Sequence, residues 1–450
     1  MRPFHRRPGE GLGRVRFCAA VIFRVLIAAP AFAGATTSSA QNVAITGGTV
    51  VIGDGSAPIS NGTVIISNGR VTAAGAGIVV QSGAQIIDAR GKWVTAGIVA
   101  GFSRIGLAGV DAVGPTNDTS ARSSPFNASL DVAAAINPDV AAIAVNRAAG
   151  VTRAIVSPEA SPGAIFGGQG AVIDTAADPQ AVMRAKLFQF VEFGEAGAER
   201  AGGSRPALYA WFRNALAEAN DYARGKLRED SILKPQDAAA LVPVITGRQK
   251  LVVHVESATD ILAVLDLTKT YPALDLVLVG VSEGWRVAAQ IAAAKVPVIA
   301  SAVNDLPGSF ETIAASQSSV GRMKAAGVEL AIGMIDDNDT RQAMHAAQYA
   351  GNLVALTKIP GATGLNWNDA FAAITSKPAD VMGLGGEIGS LKAGRRADVV
   401  IWDGDPLEVT TGVEAVWIDG VKQPLSTRQT RLRDRYATPA PGALPKAYDR

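Results

Sequence analysis

The sequence predicts an α/β protein: a TIM-like (β/α)8 barrel joined to a small β-sandwich assembled from both chain ends. Three observations point there. In the middle of the chain, short and nearly continuous apolar runs alternate with helical patterns at the spacing of βα units. Both ends are instead all β, broken by tight turns. The chain has 450 residues, 48% hydrophobic and 18% charged, enough for one large core or two ordinary ones and with no collagen-like or disordered bias.

Residues 1–33 read as a cleaved signal peptide. Arg2, Arg6, Arg7, Arg14 and Arg16 face a single acid, Glu10, and precede an apolar stretch from Phe17 to Ala29. Ala31-Phe32-Ala33 is the expected cut, with Ser38-Ser39-Ala40 as the alternative. A membrane anchor is the competing reading, but the run is short for a bilayer and Arg24 interrupts it. Arg6-Arg7 invites twin-arginine export, although Pro8-Gly9-Glu10 is a poor continuation. Cleavage predicts an exported, periplasmic protein with no membrane span. It removes six Arg and one Glu from 42 basic and 40 acidic residues, leaving 36 and 39, so the formal +2 gives no case for a nucleic-acid partner. Cys18, the only cysteine, leaves too, which excludes thiolate metal sites and cysteine nucleophiles from the mature chain.

The sandwich is expected from residues 42–95 and 386–425. Thr63-Val64-Ile65-Ile66, then Ser67-Asn68-Gly69-Arg70, then Val71-Thr72 is a hairpin, because Asn-Gly supplies both positive-φ positions of a type I′ turn. Ile86-Ile87-Asp88 and Trp93-Val94 bracket a second turn at Gly91-Lys92. At the far end Ala397 to Trp402 and Val413 to Ile418 are strands, the second turning at Asp419-Gly420 into Val421-Lys422.

Residues 96–385 should form the barrel. Ile98–Gly101, Val151–Val156, Leu251–Val255, Leu276–Val281, Val296–Ser301 and Glu329–Met334 read as strands covered on both faces. Helical patterns fill Ala258–Leu267, Trp285–Ala294, Thr340–Leu356 and Trp367–Ile374. A doubly wound sheet is the alternative, but no Gly-x-Gly-x-x-Gly follows a strand; Gly167-Gly168-Gln169-Gly170 precedes one, the wrong side for a phosphate cradle. Asp111–Asp131, rich in Ser, Asn, Pro and Gly, is expected as a lid over the mouth, and 437–450 as a loose tail.

Three local runs resemble the amidohydrolase superfamily, in particular its imidazolonepropionase-like branch and its exported bacterial members. They are Ile87-Asp88-Ala89-Arg90-Gly91-Lys92-Trp93-Val94-Thr95-Ala96-Gly97, the stretch from Ile374-Thr375 through Pro378-Ala379-Asp380 to Gly383-Leu384, and Ile388 through Ala397-Asp398-Val399-Val400 to Pro406. The resemblance implies a hydrolase of non-peptide C–N bonds, acting on cyclic amides, N-acyl or dipeptide-like substrates with one or two divalent metals. It also implies ligands: His-x-His on the first strand, a carboxylated Lys or Glu on the fourth, one His each on the fifth and sixth, and an Asp on the eighth.

The ligand positions are degenerate. Phe102-Ser103-Arg104 stands where His-x-His belongs, and Gly280 where the sixth-strand histidine belongs. His254 matches the fifth-strand histidine, and either Asp336 or Asp337 the catalytic aspartate of the eighth. The chain holds three His, of which His5 leaves with the leader, so the four required cannot be found. No metal cofactor is therefore expected; zinc enters by family analogy only. Arg104 is expected to occupy the vacated metal position, to pair with Asp336 or Asp337, and in a sharper version to clamp a ligand carboxylate. Ser103 is a further binding candidate, although alternation turns it away from Phe102 and Arg104. Asp336-Asp337-Asn338-Asp339 lacks the Gly and distal Glu of a calcium loop and reads as a solvated turn. His345 lies within the Thr340–Leu356 helical pattern and reads as an ordinary surface or packing residue.

Two functions follow. One is a hydrolase with a rebuilt site around His254, Arg104 and Asp336 or Asp337. The other is a non-catalytic paralogue that binds a small molecule or a protein partner, as a homo-oligomer or beside an active relative.

Overall fold

A computed structural model describes residues 42–110, 112–226, 228–335 and 341–437. The leader 1–33, Asp336, Asp337 and residues 438–450 of the expected tail lie outside the described residues.

Strands β1 (Val43–Val51), β2 (Ile59–Ser67), β3 (Arg70–Gly75), β4 (Gln85–Asp88) and β5 (Trp93–Ala96) open the chain. The barrel strands follow: β6 (Ile98–Ser103), β7 (Val151–Val156), β8 (Phe166–Asp174), β9 (Val182–Glu192), β10 (Lys250–Val255), β11 (Leu276–Gly280), β12 (Val298–Ser301) and β13 (Leu330–Gly333). The chain then returns through β14 (Val399–Trp402), β15 (Val413–Ile418) and β16 (Val421–Lys422) to the first sheet.

That first sheet has the order β16-β15-β14-β5-β1-β2-β3, with β4 also on β1, so both chain ends share one sheet with its own apolar core. The β2–β3 hairpin turns at Asn68-Gly69, both at positive φ, as Asn-Gly requires. β4 and β5 do not pair with each other. Each runs parallel to a different half of β1, whose register shifts at Gly48.

The barrel sheet runs β6 to β13 in chain order. Its ends meet where Met334 N donates to Phe102 O at 3.0 Å; lower down, Ile332 N and Val99 N donate to Ala373 O and Ile374 O. A uniform run of eight βα units is corrected at one place: β8 is antiparallel to both β7 and β9. The Gly167–Gly170 run lies inside β8 rather than before a strand. Glycine suits that strand, because a β-carbon at Gly170 would collide with the Phe188 ring.

Alternation decides what enters the barrel. Val252, Val277, Val279, Ile299, Phe188 and Phe190 fill the interior, while Leu251, Val253 and Val255 pack outward against the helical shell. Arg153 on β7 ties barrel to sheet. Fully buried, it donates from Nε and Nη2 to the two carboxylate oxygens of Asp398 at 2.7 Å each and from Nη2 to Asp419 at 2.8 Å, with Asp174 3.6 Å away. Burial pushes the Asp174 carboxyl up to about 6 despite the attraction of that guanidinium. Among the described residues no helix is long and apolar enough to cross a membrane.

Candidate functional site

The carboxyl ends of the barrel strands surround a cavity of about 430 Å³. Phe102, Arg104, Glu159, Glu192, His254, Glu256, Ser282 and Glu311 contribute to its wall.

Local strand geometry explains who points in. The β6–β7 register shifts between Ala100 and Ser103, which turns Phe102 inward and sends the Ser103 hydroxyl to Ile155 O at 3.0 Å. Ser103 is fully buried and does not line the cavity. Arg104, just beyond the strand, is buried and lines it together with His254. The structure thus brings two of the sequence candidates to one wall. Asp336 and Asp337, and with them the expected pairing of Arg104, lie outside the described residues. His345 sits against Tyr349 with ring centroids 6.4 Å apart, away from the cavity wall. Among its described residues the expected lid does not line the cavity itself: Thr119 touches the wall residue Glu159, while Asn127 N, Ser129 N and Ser129 Oγ all donate to Asp237 Oδ1. The loop after β12 contributes Asn304, Leu306, Gly308, Ser309, Glu311 and Thr312 to the cavity wall instead.

His254 is held at both ring nitrogens. Nδ1 lies 2.5 Å from Glu192 Oε1 and Nε2 lies 2.9 Å from Glu256 Oε1. Burial opposes a charge on this ring, but the two carboxylates more than offset it and raise its pKa well above the usual histidine range. Two carboxylate partners require two N–H donors, which only the imidazolium has. Glu256 is fixed in turn by Ser282 N, which donates to its Oε2 at 2.8 Å.

Gly280 makes this arrangement fit. Its φ is +93°, and a β-carbon there would collide with Glu256 Oε1. The carboxylate thus occupies the space that a side chain from the sixth strand would need. Gly280→Ala should therefore lose about 2 kcal/mol of stability in urea denaturation, from strain at positive φ and from displacement of Glu256.

Glu311 enters from the β12 loop. Its Oε2 accepts from Glu195 N at 2.7 Å and lies 3.6 Å from Arg205 Nη2. Gly194 leaves the room, since a β-carbon there would collide with that oxygen. Burial pushes the Glu311 carboxyl up to about 7, against the hydrogen bond from Glu195 N. A carboxyl raised in the folded state favours folding while protonated, fully so below its unfolded value of 4.5, and this contribution is lost as pH rises through about 7. Glu311→Gln keeps an acceptor without the charge. Its thermal stability relative to wild type should rise across that window, by on the order of 2 kcal/mol at mildly alkaline pH.

Glu192, Glu256, Glu159 and Glu311 escape a reading for histidine ligands. Two left a signal: Phe188, Phe190 and Glu192 alternate along β9, and Glu256 follows His254 at i+2 on the same face.

Among the described residues the expected set of metal ligands is incomplete: Glu192 ends the fourth barrel strand, where the resemblance implies a carboxylate, and His254 the fifth, but the other described positions supply no donor. Zinc needs the lone pair of a neutral imidazole, and here both His254 nitrogens face carboxylates. A phenyl ring and a guanidinium stand on the first strand, and no donor projects from Gly280. Among the described residues no group of three or more His, Cys, Asp or Glu is arranged to hold an ion.

Known proteins resemble the chain in parts and in fold. The sequence model of the amidohydrolase family matches residues 332–422. Amidohydrolase tasK of Hapsidospora irregularis is 25% identical over 396 residues, covering 76% of this chain and 38% of that protein. The imidazolonepropionase of Maricaulis maris is 35% identical over 99 residues, 22% of this chain and 23% of that one. The chain thus matches well under half the length of these curated relatives. A crystal structure of an amidohydrolase from Thermotoga maritima superposes with a TM-score of 0.74 at 24% identity, covering 84% of this chain and 99% of that one, and shares its fold.

Proposed function

The chain belongs to the amidohydrolase superfamily, on its imidazolonepropionase-like branch, and from that premise we propose that its barrel mouth is a metal-free pocket binding a small polar molecule. One observation carries the reading: His254, the histidine at the metal-binding strand end, has both ring nitrogens occupied by Glu192 and Glu256. A ring in that state offers a metal nothing. Arg104 supports the same reading, because a guanidinium beside the first strand end offers a metal no lone pair.

A second reading keeps hydrolysis, the chemistry of the superfamily, and Glu311 favours it. A carboxyl raised to about 7 on a cavity wall suits proton transfer near neutral pH. In this version Glu311 accepts a proton from an attacking water and returns it to the leaving nitrogen of a C–N bond, without a metal.

Metal analysis with a substrate panel separates these readings. The binding pocket predicts zinc far below one ion per chain, unchanged thermal unfolding in a chelator, and no cleavage of N-acyl amides or dipeptides. Metal-free turnover lost in Glu311→Gln would favour the second reading, and stoichiometric zinc would overturn both. The leader-like segment 1–33 supports export to the periplasm, which N-terminal sequencing of the cell-envelope form would check.

A further inference from the structure

We propose that this pocket takes an organic cation, a protonated amine or guanidinium bearing an apolar substituent. The inference rests on the metal-free reading above and names the ligand class for it. Charge comes first. Among the described residues, the ionisable side chains on the cavity wall are Arg104, His254, Glu159, Glu192, Glu256 and Glu311. Two cations face the carboxylates of Glu159, Glu192 and Glu256, with Glu311 as a fourth, partly protonated carboxyl, so the described wall remains acidic even with the imidazolium counted.

Hydrogen bonding points the same way. Glu192 is 6% exposed, gives Oε1 to His254, and leaves Oε2 with no hydrogen bond among the described residues. This oxygen on the cavity wall is an acceptor open to a donor. Among the described residues the Glu159 carboxylate receives only a long contact from Thr119 Oγ1 at 3.5 Å. Glu311 engages Oε2 and leaves Oε1 without a hydrogen bond among the described residues. An ammonium brings three donors and a guanidinium five, and neither brings an acceptor. A carboxylate ligand would add negative charge to a wall that already holds an excess of it.

The apolar substituent follows from the rim. Leu306, Phe310 and Ile313, on the loop that carries Ser309 and Glu311 into the cavity, are 77%, 84% and 63% exposed. Apolar groups left open beside a polar pocket mark a binding surface. A ligand whose cationic head lies between Glu159 and Glu192 and whose tail rests on this loop covers both features.

Calorimetric titration of metal-free, full-length protein tests the assignment, with hexylammonium, methylammonium, benzamidinium, hexanoate and hexanol as probes. Hexylammonium and benzamidinium should bind and raise the unfolding temperature, while hexanoate and hexanol should not. Glu159→Gln, which disturbs only a long contact, should weaken both cations about tenfold. Phe310→Ser should weaken hexylammonium and leave methylammonium unchanged. Equal binding of hexanoate, or no binding of either cation to protein shown to be metal-free, would overturn this inference alone. Stoichiometric zinc would instead overturn the metal-free reading beneath it.

Discussion

Arg153→Met should destabilise the protein by about 3–5 kcal/mol in urea denaturation at neutral pH, the range for breaking a buried ion pair from one side. The guanidinium is fully buried and reaches three aspartates on the strand edge and the C-terminal sheet. Asp419 would keep Arg396, which donates to it at 3.0 Å. Asp398 and Asp174, both buried, would keep no cation of that kind. The loss arises mainly from those orphaned charges rather than from lost attraction. It should therefore shrink in acid, where the carboxyls can protonate, and shrink again when Asp398→Asn and Asp174→Asn are added. A deficit that stays constant from neutral to acidic pH, or that the added Asn substitutions deepen, would show that packing and not charge is what Arg153 supplies.

His254→Leu should cost a comparable amount, about 3–5 kcal/mol, by a related route. Glu192 and Glu256 would then face each other across the cavity floor without the cation between them. Two carboxylates left in a buried site without their cation destabilise the fold, and protonation removes that cost. The variant should regain stability as pH falls, measured as the midpoint difference from wild type across pH. A metal-ligand role predicts something else: chelator treatment of wild type would reproduce the loss, and acid would not relieve it.

How much of this was legible in the sequence depended on where each residue's partners lie. β7, β10 and β11 match continuous apolar runs nearly residue for residue, because strands buried on both faces can tolerate little else. β8 and β9 left weaker marks. β8 is interrupted by Gly167, Gly168 and Gly170, and the first half of β9 is largely exposed, with Arg184 and Lys186 among its side chains. Without β9 there was no strand end on which to place Glu192. Phe102, Arg104 and His254 could be placed because each stands on, or directly after, a recognisable strand. Glu311 could not, since its surroundings come from Gly194, Glu195 and Arg205, more than a hundred residues away in the chain. Asp398 sits in a legible C-terminal signature, but its partner Arg153 is 245 residues distant and shows in sequence only as a charge inside an apolar strand. The antiparallel insertion of β8 likewise depends on pairing, which composition does not encode.

Selective nitrogen-15 labelling of histidine gives the most direct reading of the site, since the chain holds only His5, His254 and His345. The ring spectrum of His254 reports how many of its nitrogens carry a proton. If Glu192 and Glu256 hold an imidazolium in place of a metal, both nitrogens will be protonated from mildly acidic to mildly alkaline pH, with no change on adding zinc. A ring that titrates near the ordinary histidine value, or one nitrogen that loses its proton when zinc is added, would contradict the metal-free pocket.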